Sequence, residues 1–176
     1  RPDGKVFEAP RSSTDADPGV VNPDQGTQSA QPFTGWPASA GDCPPPTYAS
    51  GTDCWVSSSS TSGNNVIAFW DEDGDNVFTA LSGADAHFDF DFANSYEATG
   101  DFAPDTKAAV TNLFYWNNVV HDWLYGLGFT EEAGNFQSDN FGRGGLGKDP
   151  VIAQAQLTDG TNNAFFSSPP DGFSGF

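Results

Sequence analysis

Residues 105–125, DTKAAVTNLFYWNNVVHDWLY, carry the longest unbroken hydrophobic rhythm in the chain. Val110, Leu113, Phe114, Asn117, Val120, His121 and Leu124 recur at steps of three and four, the spacing that stacks side chains on one face of a helix. Pro104 and Asp105 suit its first turn, and Gly126 or Gly128 suits its end. The expected element is a helix of about 20 residues that needs a sheet to cover its apolar face. Residues 65–70 (NVIAFW) are β-branched and aromatic, and residues 87–92 (HFDFDF) alternate with three Phe on one side and Asp on the other. Both read as strands, as does 151–156 (VIAQAQ). Residues 163–166 (NAFF) read as a short edge strand that Pro169 and Pro170 must terminate.

Upstream of this framework the character of the chain changes. Residues 1–63 are dominated by Pro, Gly, Ser, Thr and Asp, with apolar islands at Val6–Phe7, Val20–Val21, Phe33–Trp36 and Cys54–Val56. This reads as a loop-rich wrapping segment of extended coil and short strands, with 64–176 as the folded unit it covers. At 176 residues the chain has the size of one domain or a part of a larger one. Its 16 Phe, 5 Trp and 4 Tyr supply a ring-rich core in place of an aliphatic one. The fold class expected is α+β: a twisted, mostly antiparallel sheet packed on one long helix and rich in loops.

Charge narrows the possible partners. With 24 acidic residues against 6 basic ones the formal charge is −18, a field that repels phosphate backbones and anionic lipid heads and attracts cations. Nucleic-acid and membrane-surface functions are therefore disfavoured. No apolar run approaches the roughly 20 residues that span a bilayer. The chain starts at Arg1 and contains no Met, which suggests a mature, exported product. Cys43 and Cys54 enclose a turn-rich loop that a disulfide could close, contributing on the order of 2–3 kcal/mol; free thiols are the alternative.

Few residues offer catalytic chemistry by themselves. Asp71, Asp73 and Asp75 alternate through a tight turn, a spacing at which three carboxylates can converge on calcium. Ser82 stands where a closing bidentate Glu would sit, and an ordinary acidic turn is the alternative. A helical HExxH would give zinc two ligands and a base on one face, but the sequence contains none. The two histidines lie apart: His121 reads as a hydrogen-bonded core residue and His87 as a surface or strand-end residue. There is no Gly-x-Ser-x-Gly elbow, the run GRGGLG at 142–147 reads as a tight surface loop, and Glu131–Glu132 have no evident acid–base partner.

Taken in order, NNVIAFWDEDGDN (64–76), TNLFYWNNVVHDWLYGLGFTEEAGNFQ (111–137), GRGGLGKDPVIAQAQ (142–156) and GTNNAFFSSPPDG (160–172) resemble the fungalysin family of secreted zinc metalloendopeptidases. The catalytic domains of that family are similar to thermolysin. The resemblance covers about residues 64–172 and implies a thermolysin-like amino-terminal lobe, with the zinc carried on an HExxH helix of a carboxy-terminal half. By the same resemblance, Asn162, Asn163 and Ala164 match the edge strand along which a peptide substrate pairs. This chain would then supply the substrate-binding edge and a cleft wall, and alone should be inactive. Its partners would be the zinc-binding half and an extended peptide. The alternative is a non-catalytic secreted module that binds or self-assembles through aromatic surface at Phe165, Phe166, Phe173 and Phe176.

Overall fold

A computed structural model describes residues 3–7, 28–33, 55–56, 59–71, 79–81, 86–157 and 164–174. The elements in chain order are β1 (Asp3–Phe7), β2 (Gln28–Pro32), β3 (Val66–Trp70), β4 (Thr79–Ala80), β5 (His87–Phe88), α1 (Ser95–Thr99), α2 (Thr106–Gly126) and β6 (Val151–Gln154). Short 3-10 turns at Ala103–Asp105 and Glu131–Ala133 flank α2. One long helix over small sheets is the expected α+β architecture.

The strands form two three-stranded sheets, ordered β2-β1-β5 and β4-β3-β6. Each joins an antiparallel pair to a parallel one: β1 runs antiparallel to β2 and parallel to β5, and β3 runs antiparallel to β4 and parallel to β6. Helix α2 packs across both sheets, against β1 and β3. It begins and ends within one residue of the span its periodicity predicts. Asp105 does not cap it; its buried carboxylate accepts the Ala93 and Ser95 amides at 2.7 and 2.6 Å, tying the approach of α1 to the start of α2.

The core is a cluster of rings. Phe33 lies 5.4 Å from Phe88, nearly stacked, and 5.5 Å from Phe114, while Trp55 meets Tyr115 edge-on at 5.5 Å. Val6, Val66, Ala68 and Val110 fill the space between them. Each large apolar side chain so buried contributes about 1.5–3 kcal/mol. Val6, Phe33 and Trp55 come from the loop-rich first part of the sequence, and each is fully or almost fully buried in the same cluster as Phe114.

Two local readings change. The alternating stretch 87–92 is a strand only over His87–Phe88, because β1 pairs with no more of it than that. Its alternation survives in burial: Phe88 is buried, Phe90 and Phe92 are half-buried, and Asp89 and Asp91 face solvent. Residues 164–166 form no strand.

The face that α2 buries also differs from the one its apolar residues suggest. Thr106, Val110, Phe114, Asn118 and Asp122 are buried, whereas Val120 is exposed. Ala108 and Thr111 are buried as well, so the first half of the helix is covered on more than one side, and beyond Phe114 the buried positions are polar.

Candidate functional site

Beyond Phe114 the buried line of α2 faces polar groups from distant parts of the chain. Asn118 accepts from the Asn65 amide at 3.2 Å, across the start of β3. The Asp122 carboxylate accepts from the Trp55 indole N–H at 2.9 Å. His121 Nδ1 lies 3.2 Å from Asp122 Oδ1, and its Nε2 lies 3.4 Å from the Gln137 amide nitrogen. With 9% of its side chain exposed and both ring nitrogens engaged, His121 is the hydrogen-bonded core residue expected.

The turn after α2 contains a buried charge. Glu131 is 2% exposed; its carboxylate accepts from the Tyr125 hydroxyl at 2.9 Å and pairs with Arg143 at 3.2 Å. Sequence gave Glu131 no partner, because Arg143 lies twelve residues away on the glycine loop. That loop closes over the turn so tightly that a Cβ on Gly145, whose φ is +60°, would lie 1.9 Å from the Glu131 carbonyl oxygen. Any side chain there would collide with backbone.

Residues 134–149 are pinned at both ends. Ser138 and Asp139 donate their amides to the Asn64 carbonyl and side-chain oxygen at 2.7 and 2.8 Å, and the Asn64 amide returns a bond to the Asp139 carbonyl. Asp149 is fully buried, and one carboxylate oxygen accepts the Gln137 amide at 3.2 Å. Both side-chain polar atoms of Asn135, the side-chain oxygens of Gln137 and Asn140, and Oδ1 of Asp171 are buried without a hydrogen-bond partner among the described residues. Groups of that kind normally find a partner in ordered water or protein.

The last described segment, 164–174, lies over this loop. Gly172 donates its amide to the other Asp149 oxygen at 2.8 Å, and Leu146 donates to Asp171 at 2.9 Å. Phe166 rests edge-on against Phe136 at 5.9 Å, and Phe136 rests against Phe129 at 5.8 Å. Along residues 164–169 no backbone hydrogen bond reaches another described residue. Phe165, Phe166 and Phe173 are 64%, 58% and 66% exposed, in keeping with the aromatic surface expected there.

Of the residues singled out from sequence, Ala164 is exposed on this segment, while Asn162 and Asn163 lie outside the described residues. Asp71 follows β3 and is half-buried; Asp73 and Asp75 lie outside the described residues, as do Cys43, Cys54 and Phe176. His87 is exposed at the start of β5 and bonds Asp3 at 2.6 Å. Asn118, Asp122, Asp149 and Asp171 were missed by the sequence reading. Their one local signal is the four-residue step from Phe114 through Asn118 to Asp122, which continues the buried line with polar residues.

Among the described residues no group of three His, Cys, Asp or Glu is placed to hold a metal, and both histidines are held by other partners. No helix among the described residues is long and apolar enough to cross a membrane.

Comparison with known proteins agrees with the order of motifs. The family model described as Fungalysin metallopeptidase (M36) matches residues 5–176. The chain is 46% identical over 125 residues to extracellular metalloproteinase 5 of Arthroderma gypseum, a match covering 58% of this chain and 19% of that protein. It is 45% identical over 125 residues to extracellular metalloproteinase 1 of Arthroderma otae, covering 58% of this chain and 20% of that protein. It is also 43% identical over 126 residues to extracellular metalloproteinase 10 of Coccidioides posadasii, covering 67% of this chain and 20% of that protein. The matches span about a fifth of the length of these relatives. Since the family model matches from β1 to the final residue, the chain belongs to the fungalysin metallopeptidases.

Proposed function

We propose that this chain is the amino-terminal part of a secreted zinc metalloendopeptidase, with 64–176 as the lobe that lines the cleft and 1–63 as the segment that wraps it. In this reading Asn162, Asn163 and Ala164 offer backbone to an extended peptide. The observation that carries it is the exposed segment beginning at Ala164, whose backbone makes no hydrogen bond to another described residue through 169. Exposed backbone N–H and C=O groups are what a peptide needs in order to add itself as a strand. The zinc ligands come from the carboxy-terminal half, which is the main partner of this lobe, and the two are secreted together.

The test is a steady-state comparison in the full-length protein. Ala164→Pro removes one backbone donor and should raise KM for an extended peptide about tenfold, the worth of one hydrogen bond lost from binding, with zinc content unchanged. An unchanged KM removes the substrate-edge reading.

Two associated readings belong to the same picture. Asp71, Asp73 and Asp75 hold calcium, so added calcium should raise the melting temperature in the wild type and not in Asp73→Asn. Cys43 and Cys54 form a disulfide, which thiol titration of the denatured, unreduced protein tests directly.

The exposure of Trp123, Leu127, Phe165, Phe166 and Phe173 favours a second reading, a binding or self-assembling module without peptidase chemistry. Sedimentation of the isolated chain decides it: concentration-dependent association supports the module, and a monomer that binds no aromatic-surface dye excludes it.

A further inference from the structure

We propose that Asp149 and Asp171 are positioning residues that buckle the segment 164–174 onto the glycine-rich loop and so set the path of the substrate edge. The proposal rests on reading the stretch around Ala164 as that edge. Residues 164–169 make no backbone hydrogen bond to another described residue, so the described contacts that hold them come from a side chain within the stretch and from residues 171–174 after it. Within the stretch the contact is Phe166 against Phe136. After it comes a double exchange of backbone amides for carboxylate oxygens: Leu146 donates to Asp171 at 2.9 Å and Gly172 donates to Asp149 at 2.8 Å. Each segment thus supplies one amide and one carboxylate, a reciprocal pairing that fixes register as well as proximity. Ser174 adds a bond from its hydroxyl to the Lys148 carbonyl at 3.3 Å.

The seat of the buckle is rigid. The second Asp149 oxygen accepts the Gln137 amide at 3.2 Å, Lys148 donates to the Ser138 carbonyl at 2.9 Å, and Ser138 donates to the Asn64 carbonyl beside β3. The moving part is shaped to fit it. Gly172 has φ +87°, and a Cβ there would lie 3.0 Å from Leu146 Cβ, so any other residue would strain the turn and press on Leu146. Hydrogen bonds from neutral amides to ionised carboxylates are about twice as strong as neutral ones, which suits a clamp on an otherwise exposed segment. Neither carboxylate touches the substrate in this scheme. They act through the backbone they hold.

The experiment uses the full-length, zinc-loaded protein, with an extended fluorogenic peptide and a short substrate that does not reach the edge. Asp171→Ala and Asp149→Asn, the latter leaving one acceptor oxygen for two donors, should each raise KM for the extended peptide about tenfold. The value of kcat and the kinetics of the short substrate should stay within about twofold of the wild type, a range that corresponds to well under one hydrogen bond. Hydrogen exchange at the Leu146 and Gly172 amides should quicken in the matching variant. Ala164→Pro serves as the reference. If it raises KM and the two Asp variants do not, the clamp is wrong and the edge reading stands; if it too leaves KM unchanged, the edge reading itself has failed. A fall in kcat on both substrates, with a lower melting temperature, would show a purely structural role and overturn the proposal. Should Asp149→Asn fail to fold, Asp171→Ala and Ser174→Ala, both at half-exposed or exposed positions, carry the same test.

Discussion

The two halves of α2 bury the same kind of stripe in opposite chemistry. Toward its amino end, Val110 and Phe114 enter a cluster of rings and branched side chains drawn from β1, β3 and the flanking islands. Toward its carboxyl end, Asn118 and Asp122 meet Asn65 and Trp55, and His121 meets Gln137 on the loop that follows the helix. The first half is held by contact area, which has no direction and tolerates small shifts. The second is held by bonds that work at one distance and one angle. The part of the chain that positions loops is the polar half, and the segment 164–174 is attached on that side, through Gln137, Asp149 and Asp171.

The largest effect should come from opening the apolar half. Phe114→Ala removes a ring that is fully buried and touches Phe33, and should cost about 3–5 kcal/mol in denaturant unfolding. A loss below about 1 kcal/mol would mean that the ring cluster is not the stabilising centre.

On the polar half, Asp122→Ala leaves the Trp55 indole N–H buried without its acceptor. It should cost about 1–3 kcal/mol and change Trp55 fluorescence, whereas a double variant with Trp55→Phe should recover part of the loss. No recovery in that cycle would sever the link between the helix and the residues around Trp55.

A smaller effect is expected where the loop meets the final segment. Gly172→Ala forces a side chain into a left-handed conformation and against Leu146, and should cost about 1–2 kcal/mol without disturbing the ring core as seen by near-ultraviolet circular dichroism. An altered aromatic spectrum would show that the two halves are not separable.

The smallest should be electrostatic and exposed. Lys5 bonds Asp91 at 2.7 Å and Asp89 at 3.0 Å, and these carboxylates raise its pKa above the ordinary 10.5. A raised lysine pKa favours the folded state below the unfolded value. Its contribution is therefore fully present below pH 10.5 and lost as pH rises through the raised value. Lys5→Gln should flatten that alkaline decline and weaken the dependence on salt, a slight change best seen as a difference of melting curves at low and high ionic strength.

How much of this was legible in the sequence follows from the range of each interaction. The helix was visible to within a residue at each end because three- and four-residue spacing is a local property. The strand at 66–70 was visible for the same reason, through its run of β-branched and aromatic residues. The pairing of Glu131 with Arg143 and the clamp on Gly172 were not, since each depends on a loop returning over residues that composition alone leaves unplaced. The family was readable from motif order, and the match over residues 5–176 agrees.

What the sequence determined by itself is the presence of the helix, the ring-rich core and the family, all properties of residue type and spacing. Which side of the helix is buried along its length was decided only by tertiary structure. Four residues advance about 40° beyond a full turn, so the line from Thr106 to Asp122 winds by about 160° around the axis. The cover of the helix comes from the sheets through β1 and β3 and, beyond Phe114, from Trp55, Asn65 and Gln137. Where those partners stand is set by contacts 53 to 109 residues apart in the chain, from Asn65 on Asn118 to Trp116 on Phe7.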